Sequence, residues 1–296
     1  MGVLLGLLTA LAWGSSDFSA RFVARRIGSL RTTLYMQFTG LILLTICLKW
    51  VGGWGHLFDG SGWHPWAWGA LAGMFNGVAS LALYRSFEVG KMAVVAPLSS
   101  SYPALTVVLL FFSGERLTIV RAAGVALIIA GVILVARPES SGASAGAAGN
   151  TTDGAGKKSD GVSWALISAV GFGVLFWLLG TRVVPAVGFA ATVWMIRLTS
   201  SVVTAGVVLA GRRPLTPPRE TPIVGLVLSM GVLDTGAFIL NNLGMQLEQV
   251  SVVSVLASLY GAVTVLCAAI FLRERLTRWQ WLGIVAIFAG IALISR

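Results

Sequence analysis

Residues 115–137 read ERLTIVRAAGVALIIAGVILVAR, and residues 274–296 repeat the pattern as ERLTRWQWLGIVAIFAGIALISR. Ten of the 23 aligned positions are identical, including the opening Glu-Arg-Leu-Thr and the closing arginine. The correspondence continues upstream with small shifts in offset, so that Tyr102 aligns with Tyr260. An internal repeat within apolar segments is typical of secondary transporters, whose binding sites lie where the repeats meet. The sequence therefore predicts a duplicated membrane protein with its site between the halves.

Composition places the chain in a lipid bilayer. Hydrophobic residues make up 56% of its 296 residues, charged residues only 11%, and the mean hydropathy is +0.87. A soluble domain has about 25% charged residues. The net charge of +10 comes from basic residues at the ends of apolar segments, where cytoplasmic loops carry them, so nucleic-acid binding is not predicted. Cys47 and Cys267 lie inside apolar segments and are interpreted as packing residues.

Ten apolar segments are long enough to cross about 30 Å of hydrocarbon as helices. A polar stretch rich in Gly, Ala and Ser at 138–160 separates the first five from the last five and is interpreted as a flexible linker. The predicted domains are an N-terminal repeat at 1–137 and a C-terminal repeat at 161–296. The predicted spans are 2–20, 32–48, 65–86, 92–113, 119–136, 161–181, 189–210, 222–245, 250–272 and 279–295.

Five helices per half is an odd number, so the second half must enter the membrane from the opposite side. The predicted fold is an all-α integral membrane protein with ten transmembrane helices arranged as two inverted five-helix repeats. Lys and Arg are more frequent in the loops after the odd-numbered spans. The positive-inside rule therefore predicts a cytoplasmic linker and both termini outside.

Several short motifs stand at the ends and inside the apolar segments of the first half. They are Trp13-Gly14, Ala96-Pro97-Leu98, Gly114-Glu115-Arg116-Leu117, and the glycines Gly124 and Gly131, the last two features recurring in the second half. With these motifs the sequence resembles the EamA-like ten-helix branch of the drug/metabolite transporter superfamily over almost its whole length. The resemblance implies export or exchange of amino acids, nucleotide-sugar-like metabolites, organic cations or drugs, often with proton coupling.

The second half departs from the first at three matched positions. Val255, Gly261 and Arg273 stand where the first half has two prolines and a glycine, so a strictly symmetric mechanism is not expected. Glu115 and Glu274, each followed by an arginine, are interpreted as groups that cap or pair at helix ends, a feature of the fold rather than of binding.

Charged side chains at membrane depth are the first candidates for the site, because an ionised group at the bilayer centre costs about 2.5–3.5 kcal/mol even on lenient scales. Asp234 lies in the middle of the eighth span and is predicted to be the central charge of transport, its protonation being part of the cycle. The alternative is a stabilising pair with Arg197. Asp17 shares a helical stripe with Trp13 and Arg21, which is consistent with substrate binding or with a pair to Arg21 at the interface.

Polar and aromatic side chains in other spans complete the predicted site. Asn76, Ser80 and Tyr84 follow one another at one-turn spacing, and hydrogen bonding between helices is the alternative role for them. The predicted substrate-binding residues are Trp13, Asp17, Asn76, Ser80, Tyr84, Tyr102, Trp177, Arg197, Asp234, Asn241 and Tyr260.

Enzymatic activity is not predicted. The two histidines, His56 and His64, lie in one loop, so neither a metal cluster nor a Ser-His-Asp set can be assembled at membrane depth. No phosphate-binding glycine motif is present, so ATP does not drive transport directly, and no cofactor is expected apart from coupled protons. A passive channel would need repeated rings of charge, which the sequence lacks.

The leading hypothesis is a secondary active transporter that exports or exchanges a small polar metabolite by alternating access. An amino acid or analogue is the first candidate, because Asp17, Asp234 and Arg197 together would suit a zwitterion. The alternative within the superfamily is a multidrug or organic-cation exporter, and the alternatives of another class are a passive channel and an intramembrane enzyme. The expected partners are the substrate and the lipid bilayer, in a monomer or homodimer that crosses the inner membrane of a bacterium several times.

Overall fold

The computed structural model describes residues 1–50, 62–116, 118–136, 153–212, 218, 220–274 and 276–294, with the backbone alone at Ala136 and residues 153–160. Throughout this part of the chain the regular structure is helical. Short π-helical segments follow two of the helices, at Leu179–Val183 and Ala268–Leu272. The helices are α1 Gly2–Ile27, α2 Ser29–Cys47, α3 His64–Val89, α4 Met92–Ser99, α5 Pro103–Phe112, α6 Ile119–Ala136, α7 Asp153–Leu178, α8 Val184–Ala210, α9 Thr221–Leu247, α10 Val250–Ser258, α11 Tyr260–Cys267 and α12 Arg278–Ile294.

Seven helical stretches of the described residues are long and apolar enough to cross a membrane, and α6 and α12 are shorter apolar helices. These findings confirm an all-helical membrane fold. Several boundaries differ from the predicted ones: α1 continues to Ile27, and α7 already begins at Asp153, inside the stretch interpreted as a linker. Residues 138–152 of that stretch lie outside the described residues.

The predicted fourth and ninth spans are interrupted rather than continuous. In the fourth, α4 ends at Ser99 and α5 begins at Pro103. Proline has no backbone N–H and its ring clashes with the carbonyl four residues earlier, which explains why the helix breaks here. In the ninth, Leu259 separates α10 from α11. Both interruptions place a tyrosine, Tyr102 and Tyr260, in the interior.

The loop predicted between the sixth and seventh spans is a single sharp bend. The helical path runs from α7 through the π-helical segment into α8 and is broken at Gly188, whose φ is 78°. This left-handed conformation strains residues with a Cβ, so glycine fits the position. The bend allows α8 to turn back along the bundle.

The terminal helices of the two halves, α6 and α12, pack closely against each other. A Cβ added to Gly131 would lie 2.6 Å from the carbonyl oxygen of Gly283, and one added to Gly124 would lie 2.7 Å from that of Gly290. Such approach of two backbones requires glycine on both helices. The glycines of the sequence repeat therefore form one helix–helix interface.

Two further helix pairs form the centre of the bundle. The helix α1 packs mainly on α9, and α3 packs mainly on α7. In terms of the sequence repeat, the first helix of each half packs on the third helix of the other half. This arrangement brings polar residues from both halves to one central space.

Candidate functional site

A small central cavity lies between these helix pairs and the two interrupted spans. Side chains from α1, α3, α7, α9 and α11 line it, together with Tyr102 from the interruption after α4. Its volume, measured for the centres of water-sized spheres, is about 20 Å³. One water needs about 10–15 Å³ on that measure, so the cavity is contracted and has room for one or two waters.

Aromatic side chains form most of the cavity wall. Seven of its eleven lining residues are aromatic. The Trp13 ring is central to the group, with ring centroids 5.0 Å from Phe238 in a T-shaped contact, 5.6 Å from Phe176 and 6.1 Å from Tyr260. The Tyr102 ring stacks on Phe176 at 4.7 Å. Edge and face contacts of this kind hold the rings in defined orientations.

Asp17 is the cavity's isolated charge. It is only 4% exposed, on the face of α1 that Trp13 shares. Among the residues that the structure describes, its carboxylate has neither an ion pair nor a hydrogen bond. Arg21, one turn further along, pairs instead with Glu274 at 2.7 Å. The local Asp17–Arg21 pair, which was one interpretation of the sequence, is therefore not formed.

Asp234 also reaches the cavity, but its charge is compensated. Its carboxylate pairs with the guanidinium of Arg197, which is fully buried behind the cavity wall. The same guanidinium donates a 2.6 Å hydrogen bond to Oε1 of Gln37 and lies 5.1 Å from the centroid of the Phe238 ring. It also donates to the sulfur of Met36 at 3.5 Å, so Arg197 is held by four of the described side chains and does not line the cavity.

The two symmetric tyrosines each bind the other half. The Tyr102 hydroxyl donates to the carbonyl oxygen of Ser254 at 2.9 Å, and the Tyr260 hydroxyl donates to the Ser99 hydroxyl at 3.3 Å. Their rings are almost parallel, with centroids 6.5 Å apart. The tyrosines therefore connect the two interrupted spans directly beside the cavity.

Ser80 and Tyr84 of α3 line the cavity, whereas three further predicted residues, like Arg197, do not. Asn76 donates to the Ser200 hydroxyl at 3.0 Å and joins α3 to α8. Asn241 contacts the sulfur of Met245 at 3.7 Å. Trp177 points away and donates to the Ser113 hydroxyl at 2.7 Å, because Phe176 occupies the face of α7 towards the cavity.

Four lining residues were missed in the sequence: Leu83, Phe172, Phe176 and Phe238. Phe172 carried a usable signal, since it aligns with Trp13 when the first helices of the halves are superposed. Phe238 lies one turn after Asp234 and could have been found on that stripe. Among the described residues there is no group of three or more His, Cys, Asp and Glu side chains that could hold a metal ion.

Two ionic clusters lie at helix ends away from the cavity. In the Glu274 cluster, the carboxylate of Glu274 pairs with Arg21 and accepts a hydrogen bond of 2.9 Å from the backbone N–H of Ala93, at the start of α4. The glutamate therefore joins the second half to α1 and α4 of the first.

The Glu115 cluster is its counterpart. Glu115 accepts hydrogen bonds from Arg121 at 2.8 Å and from the Ser251 hydroxyl, at the start of α10, at 3.1 Å. Arg121 also donates to Gln249 at 2.7 Å. Both glutamates thus pair and accept hydrogen bonds at helix ends, as the sequence suggested. The sequence did not indicate that these contacts join the two halves.

Comparison with known proteins agrees with this architecture. A protein of Methanocaldococcus jannaschii described as uncharacterized is 33% identical over 135 residues, which are 45% of this chain and 94% of that protein. An uncharacterized transporter in the cobO 3′ region of Sinorhizobium sp is 38% identical over 72 residues, 24% of this chain and 51% of that protein. One crystal structure shares the fold with a TM-score of 0.68 at 20% identity, covering 99% of this chain and 95% of the other.

The sequence model of the EamA-like transporter family matches residues 1–137 and 159–296, which together are almost the whole chain. This match agrees with the apolar helices and implies a transporter rather than an enzyme. The protein belongs to the EamA-like transporter family, within the drug/metabolite transporter superfamily.

Proposed function

We propose that the protein is a secondary active transporter that carries a small organic cation with an apolar or aromatic body. The observation that carries this proposal is the uncompensated carboxylate of Asp17 inside a wall of aromatic side chains. A carboxylate and aromatic faces both attract an ammonium group, and the attraction is strongest where water is excluded. A cation is therefore the ligand whose charge completes this cavity.

The geometry favours a cation over the amino acid that led the sequence-based hypotheses. That hypothesis needed Arg197 to bind a substrate carboxylate, but Arg197 is fully buried and already bound to Asp234 and Gln37. Of the described residues that line the cavity, none is basic. An amino acid could present its ammonium group to Asp17, yet its carboxylate would have no cation to pair with.

The ten spans and the inverted repeat are part of the proposal. Matched helices make matched contacts, since α1 packs on α9 as α3 packs on α7. The Methanocaldococcus relative matches over 94% of its own length with 135 residues, so it is about as long as one half of this chain. A unit of that size supports the view that the chain arose by duplication.

Alternating access would follow from the two ionic clusters. The backbone N–H of Ala93 and the hydroxyl of Ser251 occupy corresponding positions of the two halves, and each binds the glutamate of the opposite half. In an inverted repeat these clusters lie at opposite faces of the membrane. We infer that each cluster closes one side of the path, and that a substrate enters or leaves when one cluster separates.

Proton coupling would use the same carboxylate. A carboxylate that binds either a proton or the substrate, but not both, makes the two ligands compete and thereby drives exchange. Asp17 suits this role better than Asp234, the residue favoured from the sequence, because Arg197 already neutralises Asp234. The inner membrane of a bacterium and a monomeric or dimeric state remain part of the proposal.

A binding experiment tests the substrate class. Purified protein is titrated with tetraphenylphosphonium, with phenylethylamine, with phenylalanine and with neutral phenylethanol. We expect the two cations to bind, and Asp17→Asn to weaken them by about 10- to 150-fold, the range for a hydrogen bond or pair to a charged group. Asp234→Asn is the matched control and should weaken them less.

The proposal is wrong if phenylalanine binds as tightly as the cations or if Asp17→Asn leaves their affinity unchanged. Tight phenylalanine binding would restore the amino-acid hypothesis. Chemical conversion of any compound during the titration would indicate an enzyme. A passive channel is distinguished by flux, because a channel cannot move a cation against its gradient.

A further inference from the structure

A second crevice lies at the end of α1, beside the π-helical segment Ala268–Leu272. Its volume for the centres of water-sized spheres is about 260 Å³. The residues that line it are Arg21, Phe22, Arg25, Arg26 and Leu272. It shares no lining residue with the central cavity, so it is a separate feature.

The crevice carries an excess of positive charge. Arg21 and Arg26 are each paired with a glutamate, the second with Glu220. Arg25 instead donates to two uncharged acceptors, the backbone carbonyl oxygens of Phe87 at 3.4 Å and Gly90 at 3.1 Å. Three arginines against two glutamates leave the crevice with one positive charge, and that charge is on the exposed Arg25.

A second exposed arginine, Arg273, is the next residue in the chain after Leu272, which lines the crevice. Arg273 has a left-handed backbone with a φ of 50°, a conformation that strains a residue with a Cβ. The matched position in the first half is Gly114, with a φ of 100°. Within the described part of the chain the Arg273 guanidinium has no ion pair or hydrogen bond. The second half therefore keeps an uncompensated guanidinium where glycine would fit without strain.

Exposed aromatic side chains adjoin these arginines. Phe22 is 42% exposed and Phe271 is 69% exposed. The ring of Phe18 contacts both, with centroids 5.2 Å from Phe22 and 5.5 Å from Phe271. On a membrane-spanning protein, exposed phenylalanine side chains face the acyl chains of the lipids, and near a helix end those chains join the headgroups.

We propose that this crevice binds an anionic phospholipid. Arg25 and Arg273 bind the phosphate group, and Phe22 and Phe271 contact the acyl chains. Arginine presents a planar set of donors that matches phosphate, and basic pockets between transmembrane helices bind anionic headgroups. Free phosphate shares the chemistry of the headgroup but has no acyl chain to bury against the phenylalanines. The phospholipid is therefore the occupant that uses all of these groups.

Native mass spectrometry of the full chain tests the proposal. Protein in detergent is titrated with phosphatidylglycerol and with phosphatidylcholine of the same acyl chains, and separately with inorganic phosphate. We expect selective binding of phosphatidylglycerol, weakened about 30-fold in the double variant Arg25→Gln/Arg273→Gln, which loses two charges next to the anion. Arg116→Gln, an exposed arginine in the first half, is the matched control and should bind like the wild type.

A second variant separates loss of the site from loss of the fold. Arg273→Gly restores the glycine of the first half and removes the backbone strain, so it should fold at least as well as the wild type while binding phosphatidylglycerol more weakly. The proposal is overturned by equal affinity of all variants, by equal binding of phosphatidylcholine, or by inorganic phosphate displacing the phospholipid as an equal competitor.

Discussion

At the scale of single residues, the two buried carboxylates are distinguished by their partners. Asp234 is compensated by Arg197, and Asp17 is the carboxylate left to act on a ligand. A paired charge inside a protein is stable as long as both partners stay, whereas an unpaired one is held at a cost that only function justifies. The pair is therefore part of the structure of the bundle, and Asp17 is the carboxylate that the proposed function assigns to the ligand.

The first prediction concerns the Arg197–Asp234 pair. Arg197→Met should lower the free energy of unfolding by about 3–5 kcal/mol, because it leaves Asp234 buried without a counterion. Adding Asp234→Leu should recover most of that loss, since both charges are then gone. Thermal unfolding of the purified variants measures this. If the double variant is less stable than Arg197→Met alone, the two side chains do not form a compensating pair.

Sequence reasoning singled out residues where a polar group stood alone in an apolar segment. Asp17, Asp234 and Arg197 were conspicuous for that reason, and one of the two proposed roles of Arg197 is the pair found here. Phe176 was not conspicuous, because an aromatic residue in an apolar segment has the same pattern whether it faces a cavity or lipid. The choice of Trp177 over Phe176 shows how one position on a helix decides the orientation.

At the scale of helices, the paired glycines of α6 and α12 allow the closest backbone approach of the two halves. The added Cβ atoms described above would meet backbone atoms, which cannot move away as a flexible side chain could. The two helices have few other neighbours in the bundle. The strength of this pair therefore rests on the glycines.

The second prediction follows from that packing. Gly131→Val should destabilise the protein by about 1–3 kcal/mol, the usual cost of overpacking. Gly225→Ala on α9 is the control, because no atom lies within 4 Å of an added Cβ there. It should be neutral or stabilising, since alanine favours a helix over glycine by up to about 1 kcal/mol. Equal unfolding temperatures for the two variants would contradict the role given to the glycines.

The helix pattern was predictable to different extents. The apolar lengths gave the positions of most helices. The repeated glycines were recognised as a motif, but the pairing of α6 with α12 through them was not predicted. The interruption between α4 and α5 was missed, although Pro97 and Pro103 could have signalled it. The Arg21–Glu274 pair could not be read from the sequence, because local spacing favours Asp17 as the partner of Arg21.

At the scale of the whole molecule, the central cavity is small, and the ion pairs of the Glu274 cluster and the Glu115 cluster are both formed. A substrate-sized cavity needs about 300 Å³ or more. In the proposed mechanism the halves therefore separate before a substrate binds. The contacts that would break are those of the Glu115 and Glu274 clusters.

The third prediction tests these clusters as alternating closures. With both native cysteines replaced by alanine, Ser80→Cys places one thiol in the cavity, and an impermeant thiol reagent is applied to intact cells. Glu115→Gln and Glu274→Gln should shift the labelling rate in opposite directions, because each weakens the closure of a different face. Glu88→Gln, near the end of α3, is the control and should not change the rate. Equal shifts in both cluster variants would contradict the assignment.

The central claim is exchange of an organic cation for protons at Asp17, and flux in proteoliposomes tests it most directly. Purified protein is reconstituted with equal tetraphenylphosphonium on both sides, a proton gradient is imposed, and the membrane potential is clamped. We expect the cation to accumulate on the acidic side, because protons that leave this side down their gradient drive the cation in the opposite direction. We expect Asp17→Asn to abolish this movement. A distribution that stays equal across the gradient, or a flux that Asp17→Asn leaves unchanged, would contradict the account.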